Sequence, residues 1–204
     1  MILRTKIKRF LVLSLIFFHG AGAFQPTLPP RGSDSFVSLR MWSGEDDLQG
    51  SDRIKSCVPY VLPLVDGDHF GKYIYERIPP LGVLDDILLQ PLVGLFDTVP
   101  FLGLILFVAL TLGTRGNTDM SRGVRFNAQQ AALIDVALVF PELIASSFEN
   151  EPDFPRYIAE PCSNFVYYVY MSAVIYSIVS NLRGKKPNQI PYISEWSELA
   201  VGPF

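Results

Sequence analysis

Apolar residues gather along this chain into long uncharged runs that short charged segments separate. Thr98 to Thr114 is uncharged between Asp97 and Arg115. At roughly 17 residues it sits at the lower limit for a helix that crosses a bilayer. Similar runs cover about 126–145 and 158–182, the second uncharged from Pro161 to Leu182 and rich in Tyr, which suits membrane interfaces and helix packing. Earlier, the run 54–76 begins as SCVPYVLPLV and then meets Asp66, Asp68, His69 and Lys72 before Pro79-Pro80 ends it. Residues 81–96 are apolar but interrupted by Asp85, Asp86 and Pro91, the pattern of a segment that lies at the interface or re-enters. The pattern predicts an all-α, polytopic membrane protein. Its four transmembrane helices fall at about 54–76, 98–114, 126–145 and 158–182, with a short interfacial helical segment between the first two.

Loop charge gives the orientation. The loop 115–125 carries Arg115, Arg122 and Arg125 against Asp119; the loop 148–160 carries Glu149, Glu151, Asp153 and Glu160 against Arg156; the tail opens with Arg183, Lys185 and Lys186. Positive, negative, positive is the alternation expected when each intervening helix crosses. Arg53 and Lys55 precede the first run, which favours an even number of crossings and both ends of the domain 53–204 on one side.

The N-terminus reads in three parts. Arg4, Lys6, Lys8 and Arg9 lead an apolar core from Phe10 to Phe18, and Ala21-Gly22-Ala23 supplies the small residues of a signal-peptidase site. That core reaches about 14 Å as a helix, roughly half the hydrocarbon thickness, so 1–23 reads as a signal peptide, with an uncleaved anchor as the alternative. Residues 24–42 carry Arg31, Arg40 and three serines with one acid, a transit-peptide composition. Residues 43–52 (SGEDDLQGSD) read as an acidic, flexible linker. A signal followed by a transit segment that opens on Phe24 resembles the bipartite presequences of complex algal plastids.

Charge and motif content narrow the function. Residues 1–41 hold six Lys/Arg against one Asp, while the remainder carries a net −8, the wrong sign for binding nucleic acid. No H-E-x-x-H, C-x-x-C, G-x-S-x-G, phosphate loop or dinucleotide fingerprint is present, and His69 is the one histidine after the presequence. The chain therefore reads as neither an enzyme nor a cofactor or metal protein, and Cys57 with Cys162 implies no disulfide framework. Ala128, Ala131, Ala132, Asp135 and Glu142 share one stripe of the third run, flanked by Asn127. Small residues let helices approach, and polar ones in hydrocarbon face the bundle. Asp135 lines a pathway or pairs with a neighbouring helix. Asp66 and Asp68 admit the same pathway reading, or form an ionised pair at a helix end in the headgroup layer.

From Arg53 to Ala200 the chain resembles the Tic-twenty family, the small four-helix subunit of the translocon at the inner envelope membrane of chloroplasts. The matching elements come in order: Pro59-Tyr60-Val61-Leu62-Pro63-Leu64, Asp66-Gly67, Gly71-Lys72-Tyr73, and Val99-Pro100-Phe101. Arg122-Gly123-Val124-Arg125-Phe126-Asn127 follows, with Gln130-Ala131 and Leu133-Ile134-Asp135. Tyr176-Ser177, Gly184-Lys185-Lys186-Pro187 and Ile190-Pro191-Tyr192-Ile193-Ser194 close the series. The resemblance implies a multi-pass plastid inner-envelope protein with both termini toward the stroma. Its role would be channel or channel scaffold for preprotein import, among other translocon subunits, preproteins in transit and the lipid bilayer. It makes Asn127, Gln130, Asp135, Asp66 and Arg125 candidates for lining a translocation path or for packing helices. A structural subunit of another plastid membrane complex is the alternative.

Overall fold

The computed structural model describes residues 48–115, 117, 119–148 and 155–202. The expected signal peptide, transit segment and first half of the linker (1–47) lie outside the described residues. The described residues are helical, and no strand occurs among them. Among the described residues nine α-helices follow in order: α1 Asp52–Lys55, α2 Val61–Gly67, α3 Lys72–Arg77, α4 Pro79–Leu88, α5 Gln90–Thr98, α6 Leu102–Arg115, α7 Arg122–Phe148, α8 Arg156–Leu182 and α9 Ile193–Val201. Short 3₁₀ turns lie at Val58–Tyr60 and Asp68–Gly71.

The first expected span is not one regular helix. Its junction residues Ser51, Cys57, Tyr60, Asp68 and Lys72 all keep right-handed helical backbone, so the segment coils onward from Asp52 to Arg77 but tightens twice. Proline explains the first tightening: Pro63 has no N–H to give the carbonyl of Pro59, four residues back, and the turn closes as 3₁₀ instead. Ile78, forced out of the helical region by Pro79, ends the segment in a non-helical conformation. The apolar stretch 81–96 divides into α4 and α5, whose axes bend by 48° at Leu89, where Pro91 removes a ladder bond.

The third and fourth runs form single 27-residue helices, α7, longer than expected at both ends, and α8, which starts two residues early and ends where expected. These two are long and apolar enough to cross a membrane, or three elements if the bent α4–α5 pair counts as one. Helix α6, with 14 residues, reaches about 21 Å and is shorter than the hydrocarbon core.

Helix α7 is central, packed against α2, α6, α8 and α9. The core that joins the first segment, α7 and α8 consists of Tyr60, Phe70, Ile74, Ala131, Ile134, Leu138, Tyr167, Tyr170 and Val174. The far sides of α7 and α8 are apolar and exposed, with Phe140, Ile144, Phe165 and Ile175 outward, the arrangement expected of a surface that meets lipid tails.

The first segment and α8 run antiparallel and touch at both ends. At one end the Asn181 side-chain amide donates to the Ser56 carbonyl at 3.2 Å. At the other, Arg156 bonds Glu76 at 2.8 Å, Arg77 pairs with Glu160, and the Arg156 guanidinium lies 5.3 Å from the Tyr73 ring centre. Those surface pairs add little energy. Their value here is that they fix which ends are neighbours.

The cysteines follow this geometry. Cys57 Sγ reaches the Ile178 carbonyl at 3.9 Å, near the Asn181 end, while Cys162 lies near the Arg156 end; both are free. Sixteen residues of helix, about 24 Å, separate Ile178 from Cys162, against the ~7 Å Cα limit for a disulfide. Mild oxidation of the purified monomer should therefore leave both thiols titratable. An intramolecular Cys57–Cys162 bridge would refute the arrangement.

Candidate functional site

Beside the Asn181 end, α7 carries two amides into a fully dry environment. Asn127 and Gln130 are both 0% exposed, as is Tyr60 of the first 3₁₀ turn. The Tyr60 hydroxyl lies 2.6 Å from Gln130 Oε1 and 2.8 Å from Asn127 Oδ1, and it has one proton to donate between them. Asn181 Nδ2 donates to Asn127 Oδ1 at 2.8 Å, and Asn127 Nδ2 donates to the Gly123 carbonyl. Gln130 Nε2 donates to the Pro187 carbonyl at 2.8 Å and to Ser194 Oγ at 2.9 Å. One network thus ties the first segment, α7, α8 and the C-terminal tail. Buried polar groups left unpaired in such surroundings are costly, so the network selects one mutual arrangement of these elements.

The neighbouring Gln129 faces the other way and closes the end of α6. Its Nε2 lies within hydrogen-bond distance of the Leu110 and Thr111 carbonyls and of Thr114 Oγ, and its two N–H groups are shared among these acceptors in the last turns of α6.

The tail is pinned a second time. Glu198 of α9 accepts from Arg122, the first residue of α7, at 2.7 Å and from Lys186 at 2.5 Å; Lys186 also lies 4.4 Å from the Phe126 ring centre. Burial alone would push the Glu198 carboxyl up, but the hydrogen bonds and charges of Lys186 and Arg122 outweigh it and hold it below the usual 4.5. A depressed carboxylate contributes stability above its unfolded-state value, and that contribution is lost as pH falls through the folded one. The tail should therefore stay protease-resistant at neutral pH and loosen only below pH 4.5. Glu198→Gln should abolish the pH dependence; limited proteolysis against pH checks both.

Helix α8 ends in a Schellman turn. Lys185 N–H donates to the Ser180 carbonyl and Gly184 N–H to the Asn181 carbonyl, with Gly184 at φ +80°. The Gly184 carbonyl then receives the Leu48 N–H at 2.8 Å, and Arg53 Nε bonds the Leu48 carbonyl. Leu48, expected within a flexible linker, is buried against Gly123: a Cβ there would stand 2.3 Å from its Cδ2. An apolar side chain with a place to dock outweighs the polar composition around it.

Of the five sequence candidates, the structure joins Asn127 and Gln130 directly. Asp135 and Arg125 are each 5% exposed on the same helix, and Asp66 is half-buried on α2. Asp68, expected with Asp66 either on a pathway or as an ionised pair at a helix end, follows the last residue of α2 and is buried midway along the first segment, where Tyr75 and Gln90 donate to it. Sequence reasoning did not single out Asn181, Ser194 or Gln129 as functional. The signal available for Gln129 and Asn181 was an amide near the end of an apolar run.

A family model described as chloroplast import apparatus Tic20-like matches residues 29–197. Protein TIC 20-v, chloroplastic, of Arabidopsis thaliana is 34% identical over 177 residues, 85% of this chain and 82% of that one. A Tic20 family protein of Synechocystis is 31% identical over 147 residues, 72% of this chain and 90% of its own length. The Tic20 family protein Ycf60 of Porphyra purpurea is 31% identical over 161 residues, 76% and 77% of the two chains. With a matching model over most of its length and relatives above 30% identity that it covers over more than two thirds of their length, the chain belongs to the Tic20 family.

Proposed function

We propose that the chain is a membrane subunit of the plastid protein-import machinery. It acts there as a scaffold of the preprotein channel in the inner envelope, with four crossings and both ends of its membrane domain toward the stroma. Family membership supports the import role. The scaffold reading is carried by one observation: Asn127 and Gln130, the polar residues best placed to line a path, are fully buried and bonded to the chain's own segments.

The antiparallel contact supports the first crossing. From Arg156 to Asn181 α8 rises about 38 Å, enough for a hydrocarbon core of about 30 Å. The first segment meets α8 at Ser56 and again at Glu76, so it travels the same depth. Helix α6 supplies the remaining crossing with the residues before it. The leading 1–23 and 24–42 are proposed as the signal peptide and transit-like segment that deliver the chain to the plastid.

Site-specific photo-crosslinking to an arrested precursor tests the role. Probes at outward Ile87, Phe140 and Phe165 should reach other membrane subunits, with precursor contact from at least one of them, and a probe at buried Asp135 should not reach the precursor. Precursor contact from Asp135 would make the chain itself the channel. Crosslinks to neither precursor nor import components would remove it from import altogether.

A further inference from the structure

Two aspartates from different elements meet inside the protein where both elements break. Asp68 opens the second 3₁₀ turn, and Asp85 lies one turn before the α4–α5 bend. Their exposures are 7% and 6%. The Gln90 side-chain amide donates to Asp68 Oδ2 and to Asp85 Oδ2, each at 3.2 Å, which holds those oxygens within about twice that distance. Tyr75 donates its hydroxyl to Asp68 Oδ1 at 3.1 Å. These donors are all neutral. No described basic side chain forms an ion pair with either carboxylate, and Lys72, one turn past Asp68, has its ammonium 4.7 Å from the Tyr73 ring centre.

A second observation comes from α8. Tyr170 is 3% exposed and its hydroxyl has no hydrogen-bond partner. The ring tip rests on Gly67, beside Asp68: a Cβ there would lie 2.8 Å from Tyr170 Cζ, and the hydroxyl is within electrostatic range of both carboxylates. Asp85 Oδ1 is buried and also unbonded. Tyr167 of α8 packs edge-on against Tyr75 and Tyr170, so the groups facing the pair from α3 and α8 are phenols. His69 and Asp86, the other titratable neighbours in sequence, are exposed.

Two full negative charges this close, buried and without a cation, repel strongly and each loses its hydration. One proton relieves both penalties and leaves a single negative charge for Gln90 and Tyr75 to solvate. We propose that Asp68 and Asp85 form a proton-binding site, one proton held between the two carboxyls beneath Gln90, with the Tyr170 hydroxyl beside it. The proton comes from water and returns to water, and no other bond changes.

Dicyclohexylcarbodiimide, which modifies protonated carboxyls in apolar surroundings, tests it on the full chain in detergent, with adducts mapped by mass spectrometry. An adduct should form on Asp68 or Asp85 near neutral pH, with exposed Asp86 and Asp97 unmodified, and its yield should fall as pH rises. Asp85→Asn keeps the shape and removes the second charge, so Asp68 labelling at a given pH should drop by about tenfold or more. Absence of an adduct on the pair, labelling independent of pH, or labelling unchanged by Asp85→Asn overturns the proposal. So does suppression by sodium or calcium chloride at fixed pH, which would mark a metal-ion site instead. If the Asn variant does not fold, the wild-type map and pH profile still decide.

Discussion

Replacing Asn127 and Gln130 together by leucine will destabilise the protein by more than the two single replacements added. Either amide alone can accept the Tyr60 hydroxyl proton, since its oxygen lies 2.8 Å from one and 2.6 Å from the other. A single Asn127→Leu or Gln130→Leu therefore leaves Tyr60 a partner and costs about 0.5–1.5 kcal/mol for each net bond lost. The double variant takes both amide acceptors from the buried hydroxyl and leaves it beside Ser177, whose own hydroxyl donates to the Ala173 carbonyl, an additional penalty of about 1 kcal/mol or more. Tyr60→Phe on the double background should recover most of that excess, because it removes the orphaned group. Thermal unfolding of the six chains that complete this cycle gives the coupling directly. Strict additivity would mean that the three side chains do not share one proton.

Gly71→Leu should be nearly as damaging for the opposite reason, too much volume. A Cβ at this position would stand 2.5 Å from Tyr75 Cζ and 2.7 Å from Tyr167 Cε2. Tyr75 is half-buried and can swing aside, but Tyr167 is wedged between Tyr75 and Tyr170, with ring centres at 5.7 and 5.5 Å. Overpacking costs about 1–3 kcal/mol, while any residue that replaces a helical glycine regains up to about 1 kcal/mol. Alanine already brings its Cβ to 2.7 Å from the wedged Tyr167 and should cost part of this; leucine, with a whole isobutyl group at the contact, should cost clearly more. Tyr167→Ala should offset part of the Gly71→Leu loss. An unchanged melting temperature for Gly71→Leu would show that the first segment and α8 do not pack this closely.

The long apolar helices were legible because charge alone delimits them: nothing ionised interrupts 161–182, and α8 formed around it. Asn127 and Gln130 stood out as amides on a small-residue stripe, which is why they were candidates before any geometry. Their partners were hidden by distance along the chain, since Tyr60 precedes Gln130 by 70 positions and Ser194 follows it by 64. The breaks in the first segment were also missed, because hydropathy ignores which backbone carbonyl a proline leaves without a donor. Gly67 and Gly71, four apart, did carry a packing signal of the small-xxx-small kind, and it pointed to the tyrosines of α8. Asp68 and Asp85 looked like ordinary interfacial acids; only the reversal at Ile78 brings them together.

The buried network also dictates an order of events. Its earliest member is Tyr60 and its latest is Ser194, so no nascent or partly threaded chain possesses the full set of partners. Until the last segment is in place, Gln130 has no Pro187 carbonyl or Ser194 hydroxyl to meet, and Asn127 lacks Asn181. An interrupted insertion therefore leaves unpaid amides in an apolar setting, the kind of defect that membrane proteases and chaperones can sense. Closure of the tail over α7 becomes the final, all-or-none step of biogenesis, and chains cut short before residue 187 should be cleared rather than accumulate.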